Sequence, residues 1–147
     1  MSFFNAMNTN ASGLTAQRLR MDVISENIAN AETTRTAEGG PYKRKVAVFQ
    51  EINSTSPFSS VFQNSILRVA QGNGVRVSEI VKDESPGMLR YDASHPDADA
   101  DGYVRMPNIN IVEEMVNMIS SSRSYEANIT AINNTKSMLA RTLELGR

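Results

Sequence analysis

The sequence predicts a mainly α protein with a small β insert, its N- and C-terminal helices paired as an elongated antiparallel coiled coil. Three observations predict it. All five prolines and six of the eight glycines lie between Thr33 and Pro107, so the helix breakers are confined to the middle. Both ends carry apolar residues three or four apart, the period of a helix that packs on another helix. The middle holds short β-branched or alternating runs separated by turn residues, the pattern of small strands. The chain therefore divides into an N-terminal helix within 1–31, a β-rich insert at 32–107 and a C-terminal helix within 108–147.

The N-terminal helix is read from Ser2 to Asn30, which holds no proline and one glycine, Gly13. Its row is Phe4, Met7, Ala11, Leu14, Arg18, Met21, Ser25 and Ile28, all but two of them apolar. The C-terminal row is Met115, Met118, Ser122, Tyr125, Ile129, Ile132, Lys136, Leu139 and Leu143, again with two polar exceptions. At about 1.5 Å per residue the two helices span roughly 40 Å and 55 Å. Two such rods cannot close a globule alone, and the simplest partner of each is the other. The methionines of the C-terminal helix, Met115, Met118 and Met138, sit at helical spacing and read as packing residues, suited by their flexible thioethers to an adaptable contact.

The other faces of these helices are crowded with Asn5, Asn8, Thr9, Asn10, Ser12, Asn117, Ser120, Ser121, Ser124, Asn128, Thr130, Asn133, Asn134 and Thr135. A solvated helix face is normally rich in Glu and Lys. Short uncharged side chains are poorer helix formers, but they suit a face packed against neighbours, where a charge is costly to desolvate. A second apolar row, Val112, Val116 and Ile119 with Val23 and Ile24, widens the stripe beyond one partner. Several helical neighbours per helix is the inference; a poorly optimised two-helix coil is the plainer alternative.

In the insert, Lys45–Phe49 and Val75–Val77 read as strands, and Leu89–Tyr91 follows the turn Ser85-Pro86-Gly87. The stretch Asn53–Gly74, rich in Ser, Asn and Gln, reads as a mobile loop.

Composition narrows the chemistry. A net charge of −1 provides no field for nucleic acid or an anionic membrane. The absence of cysteine removes disulfides and thiolate chemistry. Without tryptophan, an aromatic-lined ligand pocket is disfavoured. No apolar run reaches the roughly 18 residues of a membrane span, and the start lacks the basic-then-apolar pattern of a secretory signal.

Each local motif has a plainer reading beside the chemical one. Asp97, Asp99, Asp101 and Gly102 match the first half of a calcium loop, but its twelfth position is Asn108 where a bidentate Glu is required; an Asp-rich turn is the reading adopted. His95 has Asp97 and Asp99 nearby but no nucleophile to serve. Tyr42-Lys43-Arg44-Lys45 reads as a solvated strand start. Gly72-Asn73-Gly74 lacks the lysine of a phosphate loop and reads as a hairpin turn. No cofactor, metal or small-molecule substrate is expected.

Several motifs, in order, then resemble one family. Ser25-Glu26-Asn27-Ile28-Ala29-Asn30-Ala31 is similar to the N-terminal signature of flagellar rod and hook proteins. Asp101–Asn108 resembles the family's approach to its last helix. Glu114–Met118, Arg123–Asn128 and Lys136-Ser137-Met138 resemble that helix itself. With Tyr42–Phe49 the resemblance covers about two-thirds of the chain. The short length and the stretch His95–Tyr103 point to the proximal rod rather than to the longer distal rod or hook members.

The resemblance implies a structural subunit that polymerises helically through its terminal helices with other rod proteins and copies of itself. It further implies a periplasmic place in the basal body and passage through the flagellar type III export apparatus without a cleaved signal. In that setting the seam residues become assembly residues. Asn27, Ile28, Ala29 and Asn30 are expected to end the first helix and set the turn into the insert. The competing class is a soluble helical binding module or export adaptor absent from the mature particle. An enzyme or calcium sensor would need convergent groups that the sequence does not supply.

Overall fold

A computed structural model describes residues 3–52 and 74–146. The expected loop Asn53–Gly74 and hairpin turn Gly72-Asn73-Gly74 lie outside those residues, apart from Gly74. Helix α1 runs over Phe3–Ala29 and helix α2 over Ile111–Leu145. Neither, among the described residues, is long and apolar enough to cross a membrane.

Helix α1 ends without a breaker. The Asn30 side-chain amide donates to the Glu26 carbonyl at 2.9 Å, and the Thr33 hydroxyl donates to Asn30 Oδ1 at 3.2 Å. The Glu26 carbonyl also accepts from the Asn30 backbone amide at 3.1 Å, so the side chain adds a second bond to the same oxygen at the helix end. Helix α2 starts at an N-cap: Asn110 Oδ1 accepts from the amides of Val112 at 3.1 Å and Glu113 at 3.5 Å. Glu113 and Glu114 in its first turn complement the helix dipole.

The two helices are antiparallel. Asn27 meets Glu114 at one end, and Gly13 faces Asn128 further along. Because α2 has 35 residues and α1 has 27, the excess of α2 projects at the end where α1 begins.

The insert is two antiparallel ribbons. Strand β1 (Lys45–Glu51) pairs with β2 (Val75–Lys82) from Lys45↔Lys82 to Glu51↔Val75. The register jumps from Val48↔Glu79 to Phe49↔Val77, leaving Ser78 as a bulge whose hydroxyl donates to the Val48 carbonyl at 3.2 Å. One face of β1 lies over α1, where Ala47 and Phe49 share a cleft with Arg20, Val23 and Ile24. The guanidinium of Arg20 lies 5.9 Å from the Phe49 ring centroid. Strand β3 (Leu89–Tyr91) pairs with β4 (Tyr103–Arg105). Gly102 precedes β4 at φ +79°, and a Cβ there would come within 2.9 Å of Tyr91. The Tyr91 and Tyr103 rings meet edge-to-face at 5.4 Å.

The three expected strands are present, and two run longer than expected. Strand β4 lies in the run that leads to the last helix, where three residues hold too little alternation to announce a strand.

The interior is small and one-third polar. Ala16, Val23, Ile24, Ala31, Tyr42 and Val104 are its buried apolar residues, beside buried Asn27, Glu114 and Ser121.

Candidate assembly site

Two features stand out: a polar cluster where helices and insert meet, and an apolar face that the fold leaves uncovered. The cluster is centred on Asn27, 1% exposed. Its Nδ2 donates to the Lys45 carbonyl at 2.8 Å and to Glu114 Oε2 at 3.0 Å. Its Oδ1 accepts from the Lys45 amide at 2.9 Å and the Tyr42 hydroxyl at 3.2 Å. A carboxamide offers a donor and an acceptor together, so Asn27 bonds both backbone groups of Lys45, as a neighbouring strand would. Neither Asp nor Leu of similar size can do both.

Glu114, also 1% exposed, gives Oε2 to Asn27 and Oε1 to Arg44, whose Nε and Nη2 lie at 2.9 and 2.7 Å. A buried carboxylate needs this degree of pairing to remain tolerable. The backbone of Arg44 is held on both sides: its amide donates to Asn108 Oδ1 at 2.9 Å, and its carbonyl accepts from the Asp83 amide at 2.8 Å. Asn108 Nδ2 in turn donates to the Asp83 carbonyl at 3.2 Å. Burial, with the Glu26 and Glu114 charges adding to it, pushes the Tyr42 phenol up to about 12. Around this centre lies a rim of exposed ion pairs: Lys43 with Glu84, Lys45 with Glu26, and Lys82 with Glu38.

These positions differ from the solvated strand start expected at Tyr42–Lys45. Tyr42 is buried and Arg44 reaches a buried acid, because β1 starts where both helices converge. The roles of the two asparagines also separate. Asn30 bonds the end of α1, while Asn27 ties the helices to β1. Ile28 is half-buried and Ala29 exposed.

The expected seam rows fall on both sides of the helix pair. Met7, Leu14, Met21, Met118, Tyr125 and Ile132 are half-buried. Phe4, Met115, Ile129, Leu139 and Leu143 are exposed. The line along which α1 and α2 meet includes Gly13, Asn27, Glu114 and Asn128, about one residue N-terminal of the rows read from hydropathy. Small and bonded polar side chains there let the backbones approach closely, and the larger apolar side chains turn to the flanks.

On α2 the second apolar row, Val112, Val116 and Ile119, stays outside together with Met115 of the first row. Val112, Met115, Val116 and Ile119 are 70%, 53%, 61% and 53% exposed, at the i, i+3, i+4, i+7 spacing of a helix-binding stripe. Val23 and Ile24, read as part of the same widening, are instead buried under β1. The hydroxyls beside these faces are turned inward. Thr15, Ser121, Ser124, Thr130, Thr135 and Thr142 each donate to the carbonyl four residues earlier.

The Asp-rich turn has an internal use. Asp97 accepts from the Thr34 hydroxyl at 2.8 Å, and its amide donates to His95 Nδ1 at 3.1 Å. The described residues hold no group of side chains that could ligate a metal.

A chain whose ends close on each other through polar contacts and present an apolar stripe outward is, in class, a building block for a larger helical assembly. Comparison with known proteins makes the class specific. The family described as flagella basal body rod protein matches residues 7–35, and that described as flagellar basal body rod FlgEFG protein C-terminal matches residues 100–145. The flagellar basal-body rod protein FlgC of Borreliella burgdorferi is 50% identical over 149 residues, covering 99% of this chain and 98% of that protein. FlgC of Bacillus subtilis is 47% identical over the full length of both, and FlgC of Aquifex aeolicus 43% identical over 98% of this chain and 97% of its own. The chain belongs to the FlgC family of flagellar basal-body rod proteins. It is a structural subunit of the rod, and an adaptor absent from the particle is not favoured.

Proposed function

We propose that the subunit joins the rod through the outer faces of α1 and α2, with copies of itself and other rod proteins as its neighbours. It occupies the periplasmic part of the basal body and reaches it through the flagellar type III export apparatus without a cleaved signal. Its role is structural rather than catalytic, in keeping with the rod-protein names of its relatives.

The observation that carries this reading is the stripe Val112, Met115, Val116 and Ile119. Fully burying an exposed apolar side chain of this size is favourable by about 1.5–3 kcal/mol, and the fold leaves more than half of each of the four exposed. The exposed seam residues Phe4, Ile129, Leu139 and Leu143, with half-buried Met7, Leu14, Met21, Ile28, Met118, Tyr125 and Ile132, extend the apolar surface along the pair.

Val116→Asp tests it. The variant should fold as wild type and fail to enter basal bodies, seen as missing rods by electron microscopy and loss of motility. Normal rods containing the variant would reject the assignment of this face.

A further inference from the structure

We infer that the insert carries a second contact between copies of this chain: the exposed β3–β4 face of one subunit seats in the hollow on the outer β1–β2 face of the next. The contact lies apart from the helix stripe. It rests on the proposed reading that copies are neighbours in the rod.

The pairing of β3 and β4 puts Leu89 opposite Arg105 and Tyr91 opposite Tyr103, so these four side chains share one face. The other face holds Val104, which is buried. The outward face is uncovered: Met88, Leu89 and Tyr91 are 80%, 59% and 67% exposed. It is also firm. The Met106 amide donates to the Met88 carbonyl at 2.8 Å and the Asp92 amide to the Gly102 carbonyl at 2.9 Å, while the two tyrosine rings brace each other. Tyrosine, methionine and arginine on a preformed surface are the residues that anchor protein contacts.

The β1–β2 ribbon presents the opposite shape. Ala47 and Phe49 face α1, so the cross-strand pairs Val46↔Val81 and Val48↔Glu79 face away from it. The three valines are exposed, and with Lys82, Asp83 and Glu84 they line a shallow hollow of about 520 Å³. An apolar floor of this kind takes a large side chain such as Tyr91 or Met88.

Charge fits the same pairing. At the hollow, Lys82 is matched by Glu38 and Glu84 by Lys43. Glu79 and Asp83 have no ion-pair partner among the described residues, and neither has Arg105, the cation of the tyrosine face. A negative hollow and a positive face attract, whereas two like patches repel. Each copy therefore meets the unlike patch of its neighbour, which leaves one patch of each kind free for the next copy.

Charge reversal, read as rods counted by electron microscopy and as motility, tests this. Glu79→Lys and Arg105→Glu should each lower the number of rods per cell on the order of 10-fold, because like charges then face each other across the contact. The double variant Glu79→Lys/Arg105→Glu exchanges the two signs and should return rods to within about 2-fold of wild type. Co-expression of the two single-variant chains should restore rods as well, since the altered patch of each then meets the altered patch of the other. Repair in trans is expected only of a contact between copies, and it excludes misfolding as the cause of the single defects. Single variants that form rods as wild type would overturn the contact, as would defects that neither the double variant nor co-expression repairs. Val116→Asp reports on the helix face alone. Wild-type rods in that variant would reject the helix face and leave this contact standing.

Discussion

Where the helices meet the insert, the molecule is polar and closed; along the outer face of α2 it is apolar and open. Asn27 and Glu114 are each 1% exposed, yet Val112 is 70% exposed. An ordinary globular domain arranges these the other way. The contrast teaches that, beside a small apolar core around Val23, Ile24 and Val104, the chain's own contacts use directional bonds, which set one geometry, and that a further apolar surface is left exposed. On the proposed assembly, stability of the free subunit and competence to assemble therefore reside in different residues.

The strongest way to break this contrast is Glu114→Ala. It strands Arg44, a quarter exposed, and the Asn27 amide, and removing one partner of a buried pair costs about 3 kcal/mol. Urea unfolding of the free chain should show that loss, while Val116→Asp should stay within about 0.5 kcal/mol of wild type. Equal losses in both variants would erase the distinction.

Gly13→Ala probes the helix contact further out. An added Cβ would lie 3.2 Å from the Asn128 side chain. That side chain is half-buried and bonds only its own helix, at the Ser124 carbonyl, so it can give way. Exchanging glycine for alanine inside a helix should then stabilise the free chain by about 0.5–1 kcal/mol. A destabilised variant would show that the helix contact at Gly13 is packed too tightly to admit a methyl group.

The smallest effect belongs to the rim. The hydrogen bond and charge of Lys82 hold the Glu38 carboxyl below its ordinary value. A depressed carboxylate contributes above its unfolded pKa and loses the contribution as pH falls through the folded value. Lys82→Met should therefore lose slightly less stability than wild type between about pH 7 and about pH 3. In about 1 M salt, where the Debye length is about 3 Å, the difference should vanish. A persistent difference would mean that the rim pair acts by more than its charge.

Much of the fold was legible. The five prolines and six of the eight glycines, gathered in one segment, delimit the helices, and the alternation of Lys45–Phe49 announces β1. The polar cluster of Asn27, Arg44 and Glu114 was not legible. Hydropathy cannot nominate Glu114 as buried, since its tolerance of burial depends on Arg44 and Asn27 arriving from distant positions. The same limit applies to the seam. An apolar period shows that a helix has a covered stripe, but not whether its own chain or another covers it. Glu114, Ser121 and Asn128 share a heptad position on α2 and are polar, so no apolar pattern marks them. Asn27 and Asn30 were visible as a helix-end signature, but only the geometry assigns one to the end of the helix and the other to β1.

The inward-turned hydroxyls of the two helices have a mechanical consequence. A donor already committed to its own backbone makes no directional demand on whatever lies against it. Surfaces of this kind can slide or tilt past one another by small amounts without stranding a polar group. One subunit design can thereby tolerate the slightly unequal settings that a curved wall of packed rods requires.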